Sequence, residues 1–192
     1  MEIVVFDGFD ELDAFGPFEV LSMAGFDVDL VVAAEPGSVR SMRGVQLAVP
    51  RVLGSPDGLI VVGGGWMNRA EQGSWAEARR GVLPDALARA AGTARWAASV
   101  CTGGMLLAAA GLLTGRNATT NRNAYQELRA YGVNVIEERV VDDGDRITAG
   151  ALSAGLDLGL WLTEREMGAE RAATVAATVD FSRRSPVWTR PE

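Results

Sequence analysis

The 192-residue chain has no histidine, one cysteine and two tyrosines. The missing histidine is the most restrictive of these. It excludes Cys–His and Ser–His–Asp catalysis, in which an imidazole moves a proton near neutral pH. It also removes the commonest ligand of zinc and iron sites. Acid–base chemistry must then come from carboxylates, tyrosines, an amine or the thiol. A metal site would have to rely on carboxylates, and no clustered spacing of that kind stands out, so no metal is expected. One cysteine cannot close an internal disulfide, and nothing points to an oxidising compartment. The opening "MEIVVFDGF" lacks a basic region before an apolar run, so a secretory leader is not expected. No uninterrupted apolar run approaches the ~18 residues of a spanning helix. The expectation is a cytoplasmic protein without a membrane partner.

Positive charge is scarce as well. Eighteen basic against 25 acidic side chains leave a net charge of -7. Nucleic-acid binding needs a concentrated cationic face, so no nucleic-acid partner is expected. Arg79-Arg80 and Arg183-Arg184 read as isolated, solvated pairs.

What is present is an ordinary globular composition, 48% hydrophobic and 22% charged, long enough for a single domain over residues 1–192. "EIVVF", "DVDLVVAA", "DGLIVVGGG" and "ARWAASV" are compact apolar runs of the kind buried in a parallel sheet. Helical segments follow them. One runs from "DELDAFG" to Gly25, with Leu12, Phe15, Val20 and Leu21 on one face. Another spans 74–92, with a break or second start near Pro84, and a third is "GGMLLAAAGLL". A last long helix covers 154–178. "SVRSMRGVQLAVP" predicts a hairpin-like excursion broken at Gly44, and Asp143-Gly144 predicts a turn between short strands. The tail "SRRSPVWTRPE" has no clear period. Alternating strands and helices indicate an α/β fold with a mainly parallel sheet and helices on both faces. Ligands bind such folds at the carboxyl ends of the strands, here "FDGFDELD", "VVGGGWMN" and "SVCTGG".

Cys101 stands where a buried strand meets Thr102, Gly103, Gly104 and a helix. A tight elbow there lifts the side chain out, and a helix N-terminus lowers a thiol pKa toward the reactive thiolate. Free cysteine is also among the most buried residue types, so the pattern alone leaves reactive and structural readings equally open. The triplet Gly63–Gly65 lets backbone amides approach a ligand, as an oxyanion hole requires, or is simply a tight turn. It is not a phosphate loop, because the lysine of GxxxxGK[ST] is missing. Asp10, Glu11 and Asp13 complement a helix dipole, or Asp13 supplies a carboxyl facing the thiol.

In combination, "LDAFGPFEVL", "VVGGG", "SVCTGGMLLAAAGLLTGRNATTN" and "ITAGALSAGLDLGLWL" resemble the ThiJ/PfpI superfamily from residue 1 to about residue 180. Within it the likeness is to the isonitrile hydratase branch and to sensor-like domains fused to AraC-type regulators. The resemblance implies a flavodoxin-like three-layer sandwich, a homodimer and a small-molecule substrate. It places catalytic roles on Cys101, Asp13 and Thr102. Amides facing the thiol would be those of Gly64 or Gly65 and Thr102, with Asn121 and Ser153 lining the pocket. The chain departs from the family at "ATTNRN", where relatives commonly read "ATTHW". Asn121 cannot shuttle a proton as that histidine would, so peptidase-like activity is not expected, and Arg122 replaces an aromatic at the pocket edge. The resemblance implies a cofactor-free, cysteine-dependent hydro-lyase converting an isonitrile to an N-substituted formamide. The alternatives are a non-catalytic small-molecule sensor and a glyoxalase or deglycase acting on α-ketoaldehydes. A sensor fused to a helix-turn-helix module is disfavoured by a chain that ends near residue 192.

Overall fold

A computed structural model describes residues 1–191. Strand β1 (Glu2–Val4) leads to helix α1 (Glu11–Ala24). The Asp10 side chain caps α1 by accepting the Leu12 N–H at 3.0 Å, and left-handed Gly25 closes it. Strand β2 (Asp29–Val31) follows, then the antiparallel hairpin of β3 (Gly37–Arg40) and β4 (Gln46–Val49), turning at Gly44. Strand β5 (Gly58–Val61) precedes α2 (Ser74–Arg80) and α3 (Val82–Ala91). Next come β6 (Trp96–Val100), α4 (Gly103–Ala109), β7 (Asn117–Ala118), α5 (Tyr125–Ala130) and β8 (Asn134–Val135). The chain continues through β9 (Val140–Asp142), β10 (Arg146–Ala149), α6 (Ala154–Met167), α7 (Ala169–Thr178) and β11 (Trp188–Thr189).

Seven strands form the central sheet in the order β11-β9-β10-β6-β5-β1-β2. Every neighbouring pair is parallel except β9–β10, which the Asp143-Gly144 turn makes antiparallel. All residues of β5 and β6 are buried, which is why they read as unbroken apolar runs. Each fully buried Leu59 or Ile60 contributes about 2 kcal/mol, so the sheet centre beneath Cys101 is strongly held. Helices α1, α6 and α7 pack together against one side, and α2 to α5 form the other group. This is the flavodoxin-like three-layer arrangement. Small residues set the α1–α6 distance. A Cβ at Gly159 would lie 2.9 Å from Val20, and one at Gly155 would lie 3.1 Å from Pro17.

The break expected near Pro84 is present, and four other expectations change. The break between α2 and α3 falls at left-handed Gly81, and Pro84 sits inside the first turn of α3, where its missing N–H has no helical role. The segment 154–178 is two helices, because Gly168 at φ 93° and ψ 162° adopts a backbone open essentially to glycine alone. On α1 the buried face carries Asp13, Ala14, Pro17, Val20 and Leu21, while Leu12 points outward. The tail is not featureless. Trp188 and Thr189 add a strand beside β9, and Arg190 donates to buried Asp143 at 3.0 and 2.9 Å. Nor are the arginine pairs merely solvated. Arg80 pairs with Glu77, Arg79 lies over Trp75, and Arg183 pairs with Glu164 and lies over Trp161.

Candidate active site

The carboxyl ends of β1, β5, β6 and β10 converge, and each runs into a turn of small or polar residues. Three of these turns are the strand ends singled out in the sequence; the fourth, residues 150–153, entered there only through the resemblance and Ser153. Cys101 leaves β6 at φ 54°, a left-handed backbone that a non-glycine residue holds only when its surroundings impose it. Here they do. Its N–H donates to the Gly150 carbonyl at 2.8 Å and the Ala149 carbonyl at 3.1 Å. Its own carbonyl accepts the Thr120 hydroxyl at 2.7 Å. The next turn is pressed onto β5, where a Cβ at Gly103 would lie 2.1 Å from the Val61 oxygen. Likewise a Cβ at Gly63 would lie 2.5 Å from the Thr102 nitrogen. The elbow therefore requires glycine at both positions.

Asp13 is fully buried beneath this turn. Its Oδ2 accepts the Gly63 N–H at 3.0 Å, and its Oδ1 is buried without a hydrogen-bond partner. Burial, with the Asp10 charge nearby, pushes the Asp13 carboxyl well above the usual carboxylate range. Burial also pushes the Cys101 thiol up, with the Asp13 charge adding to it, to about 12. This overturns the expectation of a helix-lowered thiol pKa: α4 is only two turns long, and burial outweighs its dipole. Ionising either group makes the other harder to ionise, so carboxyl and thiol titrate as a pair.

Three donors face the sulfur and favour its charged form: the Asn121 side chain and the Thr102 and Leu152 N–H groups. Asn121 Nδ2 lies 3.4 Å from Sγ, and its Oδ1 accepts the Asn123 N–H at 3.1 Å, which fixes the amide orientation. The Thr102 hydroxyl serves a different purpose. It accepts the Gly64 N–H at 3.0 Å and shares a 2.9 Å hydrogen bond with buried Ser74. The Gly64 amide is thereby occupied, whereas the Gly65 N–H makes no hydrogen bond among the described residues. Of the two predicted glycine amides, Gly65 is the one open to a ligand.

Leu152 was not singled out in the sequence. Its N–H faces both the thiol and the Asp13 carboxyl, and its φ is 47°. A residue acting through its backbone carries no side-chain signal; only the strand-to-glycine junction "ITAG", like the other three, marks the place. Ser153 is a correction. It does not line the cavity at Cys101, because its hydroxyl accepts from Arg139 at 3.1 Å. Arg122 is exposed and also lies outside that cavity.

The cavity holds about 260 Å³, with Cys101 at its base and Met42, Trp66, Met67 and Leu152 among its walls. Its proton carriers are few. All 18 basic side chains are arginines, so no side-chain amine exists. Neither tyrosine lines the cavity, and Asp10 at its edge is paired with Arg43 at 2.9 Å. Among the described residues no three His, Cys, Asp or Glu side chains are grouped to hold a metal ion, and no helix is long and apolar enough to cross a membrane.

Comparison with known proteins agrees with this architecture. The chain is 33% identical over 186 residues to an isonitrile hydratase from Pseudomonas putida, covering 95% of this chain and 78% of that protein. It is 28% identical over 181 residues to the Parkinson disease protein 7 homolog of Danio rerio, covering 91% and 93%. The crystal structure of a ThiJ/PfpI family protein from Pseudomonas syringae superposes with a TM-score of 0.85 at 26% identity, covering 97% of this chain and 76% of that one. Drosophila melanogaster DJ-1beta shares the fold with a TM-score of 0.81 at 21% identity, covering 95% and 97%. The profile of the DJ-1/PfpI family matches residues 1–165, the span that carries all four converging turns, and the chain belongs to that family.

Proposed function

We propose that the protein is a cofactor-free hydratase in which Cys101 attacks a small electrophilic carbon, with isonitrile hydration as the reaction. The observation that carries this reading is the pairing of a strained, inward-held Cys101 with the fully buried Asp13 carboxyl beneath an apolar cavity. The 33% identity to isonitrile hydratase supports it.

In the proposed mechanism, Sγ forms a bond to the terminal isonitrile carbon, and the thiol proton reaches that carbon by way of the Asp13 carboxyl. The product is a thioimidate, Cys101–S–CH=N–R. Water then adds across C=N, oxygen to carbon and proton to nitrogen, with Asp13 accepting and returning the proton. The tetrahedral adduct collapses: the C–S bond breaks, the hydroxyl proton returns to Sγ, and the N-substituted formamide leaves. The net change is one water added per isonitrile. The Gly65 and Thr102 N–H groups stabilise developing negative charge, each such donor typically being worth ~3 kcal/mol. Met42, Met67 and Leu152 receive an apolar R group.

Purified protein incubated with cyclohexyl isocyanide should release the formamide, and Cys101→Ala should abolish that release. Wild-type turnover no greater than that of C101A refutes the reading. Isocyanide that binds, by thermal shift, without conversion assigns the sensor role instead. The proposed assembly is a homodimer, which light scattering on the eluting protein checks.

A further inference from the structure

Arg139 lies outside the cavity, yet it holds the segment around the sulfur at both ends. At one end its carbonyl accepts the Gly150 N–H at 2.9 Å, and the Gly150 carbonyl accepts the Cys101 N–H at 2.8 Å. At the other end its guanidinium donates to Ser153 Oγ at 3.1 Å. Between these anchors sits Leu152 at φ 47°, a backbone that side-chain-bearing residues keep only when it is over-determined. The guanidinium is itself pinned. Its Nε donates at 2.8 Å to Oδ2 of buried Asp157, and Nη2 lies in ion-pair contact 2.7 Å from the same oxygen. The other Asp157 oxygen accepts the Arg184 N–H at 2.8 Å. A buried carboxylate with both oxygens engaged cannot release its arginine without leaving a charge unpaired, so the clamp on 150–153 is stiff.

We propose that Arg139 is a positioning residue for the Cys101 thiol: paired with Asp157, it holds residues 150–153 so that the Leu152 N–H stays against the sulfur. This rests on Cys101 being the reactive group, as in the reading above, but thiol reactivity can be measured without any isonitrile, so the two ideas can fail separately. The groups facing the sulfur are Asp13 from α1, Asn121 after β7 and the Leu152 and Thr102 amides; Asp10 at the cavity edge is paired with Arg43.

The test is alkylation of the single thiol by iodoacetamide, followed as a function of pH. An N–H donated to sulfur favours the thiolate. Arg139→Gln should therefore displace the pH–rate curve upward by about one pH unit, an alkylation roughly tenfold slower at fixed pH below the inflection. Ser153→Ala keeps the Arg139–Asp157 pair and should displace the curve the same way by less. Arg165→Gln strips a comparable arginine from buried Asp142, away from residues 150–153. It should lower the melting temperature and leave the curve in place. Superimposable curves for wild type, R139Q and S153A overturn the proposal, as does a downward displacement or an R165Q displacement as large as that of R139Q. Where R139Q does not fold, S153A decides: an unmoved curve refutes the clamp.

Discussion

Alanine at Gly103 tests the elbow most sharply. Its Cβ would lie 2.1 Å from the Val61 oxygen and 2.8 Å from the Val61 carbonyl carbon, inside the backbone of β5. Carbon–oxygen contacts are comfortable from about 3.3 Å, so α4 and β5 would have to part by roughly 1 Å. Neither is free to do so: β5 is a fully buried central strand, and α4 is packed by α2 and α3. Overfilling a packed core costs about 1–3 kcal/mol, and a clash with main chain belongs at the upper end. Alanine recovers at most about 1 kcal/mol over glycine in a helix, leaving a net loss of about 2 kcal/mol. Gly104 is the internal control. A Cβ there meets the Thr119 oxygen and the Thr120 side chain at 3.1 Å, which a few tenths of an ångström relieve. Gly104→Ala should stay within about 1 kcal/mol of wild type. Urea denaturation reads both, and iodoacetamide alkylation reports whether the thiol has moved. A Gly103→Ala protein as stable as Gly104→Ala would refute the steric account of the elbow.

Three further outcomes follow from the site and its supports. Above the ordinary aspartate value of 3.8, the unfolded chain loses a proton that folded Asp13 keeps, so this group's contribution to stability falls as pH rises toward its folded pKa. Asp13→Asn should then be more stable than wild type at neutral pH, with the difference closing as the pH falls toward about 4, as urea melts across pH would show. Asn121→Asp puts a carboxylate where Nδ2 now donates to sulfur at 3.4 Å, and alkylation near neutral pH should slow about tenfold or more. Arg190→Ala leaves buried Asp143 to Arg116 and Asn117. Because Arg190 is half exposed, the loss should be only about 1 kcal/mol, with faster amide exchange at Trp188 and Thr189.

The parallel sheet was legible because β5 and β6 are buried on both faces and so read as continuous apolar runs. The candidate site was legible where side chains or glycines mark it: Cys101, Asp13, Gly63–Gly65 and Asn121 all meet at the strand ends. Leu152 escaped because its contribution is an N–H, which every non-proline residue owns. Ser153 was misplaced by a single residue, since at a turn adjacent side chains point in different directions. The split at Gly168 was hidden by residues with equally good helical propensity on both sides of it. Strand β11 is two residues long, too short for any alternation, and its anchor Arg190 finds Asp143 some 47 positions earlier in the chain. The upward shift of the Asp13 carboxyl was out of reach for another reason: it depends on burial and on Asp10, and an aspartate near a helix start is ordinarily exposed.

Two of the groups that face the sulfur, the Thr102 and Leu152 amides, come from main chain, as does the open Gly65 amide, while part of the cavity wall is made by side chains of two surface turns. Met42 at the β3–β4 hairpin and Met67 after β5 are each 45% exposed and outside the buried core. Exchanging them leaves the sheet's hydrogen bonds untouched, whereas no exchange of side chains at Gly65, Thr102 or Leu152, proline excepted, deletes an amide N–H. Reaction geometry and substrate shape are thus encoded in separately mutable parts. A library restricted to positions 42, 67 and 68 would vary what enters the cavity and inherit the elbow intact.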